Sequence, residues 1–122
     1  MNPHLFVYGT LMSTGSAPLS EMLKGRVRFL SPAAATGRLY HLGIFPGLVE
    51  EAGFTVYGEL WELSHPQQDF EFLDAYEDVA EGVFTRKLVT LLLLQSQVTE
   101  AWVYIFTADL GHAKPISSGK WT

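Results

Sequence analysis

The chain has 122 residues, 48% of them hydrophobic, a formal net charge of −5 and no cysteine. That length fits one domain, and the apolar fraction suffices for one core. The acidic balance disfavours nucleic acid and anionic membrane as partners, since both need a basic surface. The lack of cysteine removes disulfides, thiolate catalysis and sulfur-rich metal sites.

In chain order, Met1-Asn-Pro-His4 has neither a basic lead nor a long apolar run, so no signal peptide is expected and a cytoplasmic location is. Leu5–Tyr8 is short, apolar and β-prone, and Gly9 ends it in a sharp turn that would expose the N–H groups of Thr10 and Leu11. Ala17–Lys24 predicts a short helix stopped by Gly25. Val27–Leu30, Ala35–Tyr40 and Thr55–Glu62 predict strands, and Gly43–Gly47, with Pro46 inside it, a shaped loop. Ser64 with Gln67 matches a capping box that opens a helix over Pro66–Glu77.

Phe84–Leu94 and Val98–Phe106 predict a hairpin across Gln95-Ser-Gln97. Both of its faces carry apolar residues, which favours a sheet covered on both sides or curled into a barrel over one with a wet side. The tail from Asp109 reads as loop, with Ile116 and Trp121 packing back on the body. The longest aliphatic run, Leu91–Leu94, is far below membrane-spanning length. The expected class is α+β, dominated by strands, with a few flanking helices.

Winding Pro66–Glu77 at 100° per residue gathers Pro66, Phe70, Phe72, Leu73 and Tyr76 in one arc and sends Gln67, Glu71, Asp74 and Asp78 to the opposite side. Glu77 falls between Phe70 and Leu73, inside the apolar arc. If buried, its pKa is raised by desolvation, by Asp74 and Asp78, and by the negative end of the helix dipole, which suits general acid–base work. If the helix frays first, Glu77 points to water. The Gly9 turn offers converging N–H groups of the kind that hold a carboxylate or an oxyanion.

Other chemistries lack their residues. His4, His41, His65 and His112 are scattered without metal-ligand spacing. There is no nucleophile elbow, phosphate loop or dinucleotide fingerprint. Neither metal nor cofactor is expected.

An ordered set of short segments spans nearly the whole chain: Phe6-Val-Tyr-Gly-Thr-Leu11; Gly37-Arg-Leu-Tyr40 with Leu42-Gly43 and Pro46; Gly58-Glu-Leu60; Leu73-Asp-Ala-Tyr-Glu77; Arg86; Ala101-Trp-Val-Tyr104; Ser118-Gly-Lys-Trp121. Together they resemble the γ-glutamylcyclotransferase-like family. The resemblance implies a small mixed β-barrel flanked by short helices, with a pocket at the barrel mouth. It implies that the turn Tyr8, Gly9, Thr10 and Leu11 supplies backbone donors to a glutamyl head group, that Phe84 and Tyr104 belong to the substrate site, and that Glu77 is the catalytic acid/base. Two positions depart from the family pattern: Asp78 stands where glycine is frequent, and Phe84 where tyrosine is common. Arg86 could orient a carboxylate, although a structural ion pair is its plainer role.

The reaction implied is γ-glutamyl cyclotransfer on a small-molecule γ-glutamyl substrate, releasing 5-oxoproline and an amine or amino acid, by a monomer or weak homodimer. The rival from another class is a binding module that keeps the fold without turnover. A third possibility is cyclisation of a γ-glutamyl group carried on a non-amino-acid amine.

Overall fold

A computed structural model describes residues 1–121. The elements are β1 (His4–Val7), α1 (Leu19–Met22), β2 (Val27–Thr36), β3 (Arg38–His41), β4 (Pro46–Val49), β5 (Thr55–Leu63), α2 (Pro66–Tyr76), β6 (Phe84–Leu93), β7 (Val98–Phe106) and β8 (Lys114–Pro115). Five strands close into a barrel in the order β1-β5-β2-β6-β7, with β7 returning to β1. The closing pair is parallel, Leu5 opposite Trp102, and its neighbours are antiparallel, which makes the barrel mixed. β4, β3 and β8 continue the sheet beyond β7.

Leu5–Val7 of β1 are all apolar because the strand is covered on both faces there. Phe6 and Tyr8 pack among barrel-filling residues that include Leu60, Leu91 and Val103. Ala33, Ala35 and Ala101 in the same cluster are small enough to leave room for the Phe6 ring in so narrow a barrel. Leu5 and Val7 point the other way, into a second cluster with Leu19, Leu23, Phe70 and Leu73 that seats both helices. The β6–β7 hairpin differs. Leu91 is fully buried inside, but Leu88, Leu92, Leu94 and Val98 are exposed, so the barrel is closed while the hairpin's outer face stays wet.

Several expected boundaries move. Val27–Leu30 and Ala35–Tyr40 are not the two expected strands: β2 runs unbroken through Pro32 to Thr36, with an irregularity between Phe29 and Ser31, and the break falls at Gly37. Pro46 begins β4 instead of sitting in a loop; at the first position of a strand its missing donor costs nothing. α1 is a single turn, shorter than Ala17–Lys24. The capping box does not form. His65 holds the N-cap without a side-chain bond, and Ser64 Oγ instead donates to the Arg26 carbonyl at 3.0 Å. The tail does fold back, with β8 pairing β3 and Ile116 and Trp121 packed against the core.

α2 is pinned at both ends by charge. Asp69, 1% exposed, bonds Arg26, and Asp74 bonds Arg86. The buried arc of the helix is therefore rotated from the one drawn by hydrophobicity alone. Phe72 and Tyr76 are exposed, whereas Asp69 and Asp74 turn inward to their arginines. No helix among the described residues is long and apolar enough to cross a membrane.

Candidate active site

A cavity of about 290 Å³ opens where β7 changes partner from β1, at Trp102, to β4, at Ile105. The two partner strands part there, and Tyr8 bridges the gap. Its hydroxyl donates to the Tyr104 carbonyl at 2.8 Å and accepts the Leu48 N–H at 3.1 Å. Burial pushes the Tyr8 phenol well above its ordinary pKa, so it remains protonated and can donate.

Beyond Tyr8 the chain turns through Gly9, Thr10 and Leu11, all on the cavity wall. Their carbonyls are occupied: Gly9 O accepts from Met12 N–H at 3.0 Å, Thr10 O from Ala17 at 3.0 Å, and Leu11 O from Leu19 at 2.9 Å. Among the described residues no protein acceptor takes the N–H of Gly9, Thr10 or Leu11. Three consecutive residues with bonded carbonyls and unbonded amides form a donor patch suited to an anion. Gly9 is not in a left-handed conformation. Glycine is needed because a Cβ there would lie 2.6 Å from Pro46 Cγ.

Glu59 of β5 secures the far side of this turn. Its carboxylate accepts Ser13 N–H at 2.8 Å, Ser13 Oγ–H at 2.6 Å and the Trp61 indole N–H at 3.2 Å. Sequence reading missed this role; the only sign of it was the place of Glu59 within Gly58-Glu-Leu60.

Glu77 lines the opposite wall. It is the residue that ends α2, with its N–H still bonded to Leu73 O at 2.9 Å, so the helix reaches far enough to carry the side chain inward. Its carboxyl has no hydrogen-bond partner among the described residues. Burial, with the Asp78 charge beside it, pushes its pKa up to about 7. Asp78 adopts φ 53°, the left-handed region that favours glycine. Its N–H bonds Ala75 O at 3.2 Å and Val79 N–H bonds Asp74 O at 3.0 Å, the paired bonds of a Schellman terminus. That geometry explains why glycine suits this position, and why a short polar side chain is an acceptable substitute.

Of the other expected site residues, Phe84 is a buried cavity wall, 6.3 Å from the Phe45 ring and 5.4 Å from Phe106. Tyr104 also lines the cavity, but its hydroxyl donates to Asp74 at 2.7 Å. Burial and that bond raise its pKa far above the ordinary value. Arg86 takes the structural role: Nε and Nη2 bond Asp74 at 2.8 and 3.2 Å, and the guanidinium stacks on Phe70 and Trp102. Asp74, assigned to solvent by the helical winding, is the hub of this brace one turn before Glu77. Ser16, Ile44, Phe45, Val83 and Tyr76 also line the cavity and were not foreseen. No cluster of His, Asp or Glu among the described residues could hold a metal ion.

The closed mixed barrel belongs to a known class of fold. The model of the γ-glutamyl cyclotransferase, AIG2-like family matches residues 5–122, and the chain belongs to that family. It is 28% identical to the γ-glutamylcyclotransferase family protein YtfP of Escherichia coli K12, over 96% of this chain and 94% of that one. Among solved structures, a mouse AIG2-like protein superposes with a TM-score of 0.71 at 24% identity, covering 84% of this chain and 76% of that one. A γ-glutamyl cyclotransferase superposes with a TM-score of 0.70 at 14% identity, covering 92% and 68%; both likenesses concern the fold.

Proposed function

We propose that this chain is a γ-glutamyl cyclotransferase in which Glu77 is the general acid/base. The observation that carries the reading is a single desolvated carboxyl, titrating near neutrality, that shares a cavity with three unbonded backbone amides. The amides of Gly9–Leu11 bind the α-carboxylate of the glutamyl head, and Phe84 and Tyr104 wall the cavity around it.

The substrate's α-nitrogen attacks its own γ-carbonyl carbon. The new C–N bond closes the five-membered lactam, and the original amide C–N bond breaks. The α-ammonium gives up two protons on the way. Glu77 takes one and hands it to the departing nitrogen, and the other ends on the released amine in solvent. Because nucleophile and electrophile belong to one molecule, positioning supplies much of the acceleration. The balance needs no water, metal or cofactor. A chain without cysteine suits the reducing cytoplasm in which we place it.

The test is 5-oxoproline release from a panel of γ-glutamyl amino acids and amines by the wild type and by Glu77→Gln. Release by the wild type, reduced on the order of 10²–10⁴-fold in the variant, is expected for loss of a general acid/base. Binding of γ-glutamyl compounds with no release from any of them would instead leave a binding module.

A further inference from the structure

Tyr104 of β7, only 4% exposed, ties the two walls of the cavity together. Its hydroxyl donates to Asp74 Oδ1 at 2.7 Å, in the last turn of α2. Its carbonyl accepts the Tyr8 hydroxyl at 2.8 Å, directly before the Gly9–Leu11 turn. Asp74 is in turn the residue that fixes the end of α2. Its carbonyl accepts Val79 N–H at 3.0 Å around the Glu77–Asp78 corner, and its carboxylate takes Nε and Nη2 of Arg86. Arg86 lies directly opposite Tyr104 in the β6–β7 ladder, so both donors reach Asp74 from adjacent strands. The guanidinium leaves Nη1 buried without a partner among the described residues. An orphaned buried donor is a cost, borne here by an arginine aimed at Asp74. The Glu77 carboxyl has no such anchor, and its place is set by packing and by the backbone turn that Asp74 holds.

We propose that Tyr104 is a positioning residue that sets the separation between Glu77 and the amide turn, through Asp74 on one side and Tyr8 on the other. This rests on the cyclotransferase reading and deepens it. The Tyr104 ring lines the cavity, but its hydroxyl is already given to Asp74. Cyclisation requires the α-nitrogen, the γ-carbonyl and the acid to align while the amides hold the head group. A displacement of one wall by about 1 Å can therefore cost on the order of 10²-fold in rate.

The closing experiment measures 5-oxoproline release from γ-glutamylalanine and γ-glutamylbenzylamine by wild type, Tyr104→Phe, Tyr8→Phe and the double variant, with urea midpoints to verify folding. Tyr104→Phe cuts only the link to Asp74. It should lower kcat by roughly 10–10²-fold and leave KM within about twofold, because the amides that hold the head group stay in place. Tyr8→Phe cuts the other link and should lower kcat comparably while raising KM. The links act in series, so kcat of the double variant should lie within about threefold of the poorer single variant, whereas independent contributions would multiply. An unchanged kcat in folded Tyr104→Phe, or a fall in the double variant equal to the product of the single falls, would overturn the inference and leave cyclotransfer standing. If Tyr8→Phe does not fold, Tyr104→Phe decides alone: a raised KM with unchanged kcat would make Tyr104 a substrate contact and overturn the positioning role. No release by the wild type from these or the other conjugates of the panel would bring down the cyclotransferase reading, and this inference with it.

Discussion

The turn at Tyr8–Leu11 and the last turn of α2 face each other across one cavity, yet they are built on opposite terms. The turn presents main chain and is over-determined. Its carbonyls are bonded into the loop and α1, Glu59 holds Ser13 behind it, Tyr8 is locked between β7 and β4, and Pro46 packs where a Cβ at Gly9 would be. The end of α2 presents one side chain and is held under tension. Glu77 is desolvated without a partner, and Asp78 occupies a backbone region that L-residues avoid. Binding surfaces gain from rigidity, whereas an acid/base gains from an environment that destabilises its charge. The two walls differ as the proposed roles would require.

The sharpest test of the contrast is Glu77→Gln, which should abolish most turnover and also stabilise the protein. A carboxyl whose folded pKa is raised from 4.5 to about 7 favours the folded state fully below pH 4.5 and loses that contribution as pH climbs through 7. Relative to wild type, the glutamine variant should gain on the order of 2–3 kcal/mol at pH 8 and nothing near pH 4, read from urea midpoints at the two pH values. Equal midpoints at pH 8 would mean that the acid is fully hydrated.

Gly9→Ala attacks the opposite wall and should show the reverse pattern, losing both activity and stability. Displacing the amides by the methyl's clash with Pro46 should lower kcat/KM by about 10²-fold. Overpacking should cost about 1–3 kcal/mol in the same denaturation assay. Glu59→Gln is expected to be milder: loosening the Ser13 clamp should raise KM several-fold with little change in kcat and cost about 1 kcal/mol.

The smallest effects separate charge from conformation at position 78. Activity should rise with pH along a limb near 7, as Glu77 becomes a base. Asp78→Asn tolerates the left-handed conformation but removes the charge, so it should shift that limb to lower pH and, by the same linkage, slightly stabilise the protein at pH 8 and not near pH 4. Asp78→Gly should shift the limb likewise and add up to about 1 kcal/mol by relieving the backbone. A limb unmoved in both variants would assign the raised pKa to burial alone.

Much of this was legible in the sequence because local rules were enough. The apolar run of β1, the hairpin, the existence of a helix before Gly25 and the existence of α2 follow from periodicity and turn residues, although α1 is a single turn where Ala17–Lys24 was expected. The position of Glu77 among Phe70 and Leu73 follows from helical geometry. Where the reading failed, long-range partners had decided. Asp74 looked like a solvent-facing acid until Arg86 drew it inward. Ser64 looked like a cap until the Arg26 carbonyl took its hydroxyl. Pro46 looked like a loop residue until β7 offered β4 an edge.

By itself the sequence determined the local elements and the ordered motifs that place the chain in its family. Only the tertiary structure decided that Glu77 and the Gly9–Leu11 turn line one cavity, that Tyr8 and Tyr104 have their hydroxyls occupied within the fold, and that no cation among the described residues lines the walls. The physical reason is separation along the chain. Helix phase and turn chemistry are set within a few residues, whereas burial, charge pairing and hydrogen-bond occupancy depend on residues tens of positions apart, brought together only by closing the barrel.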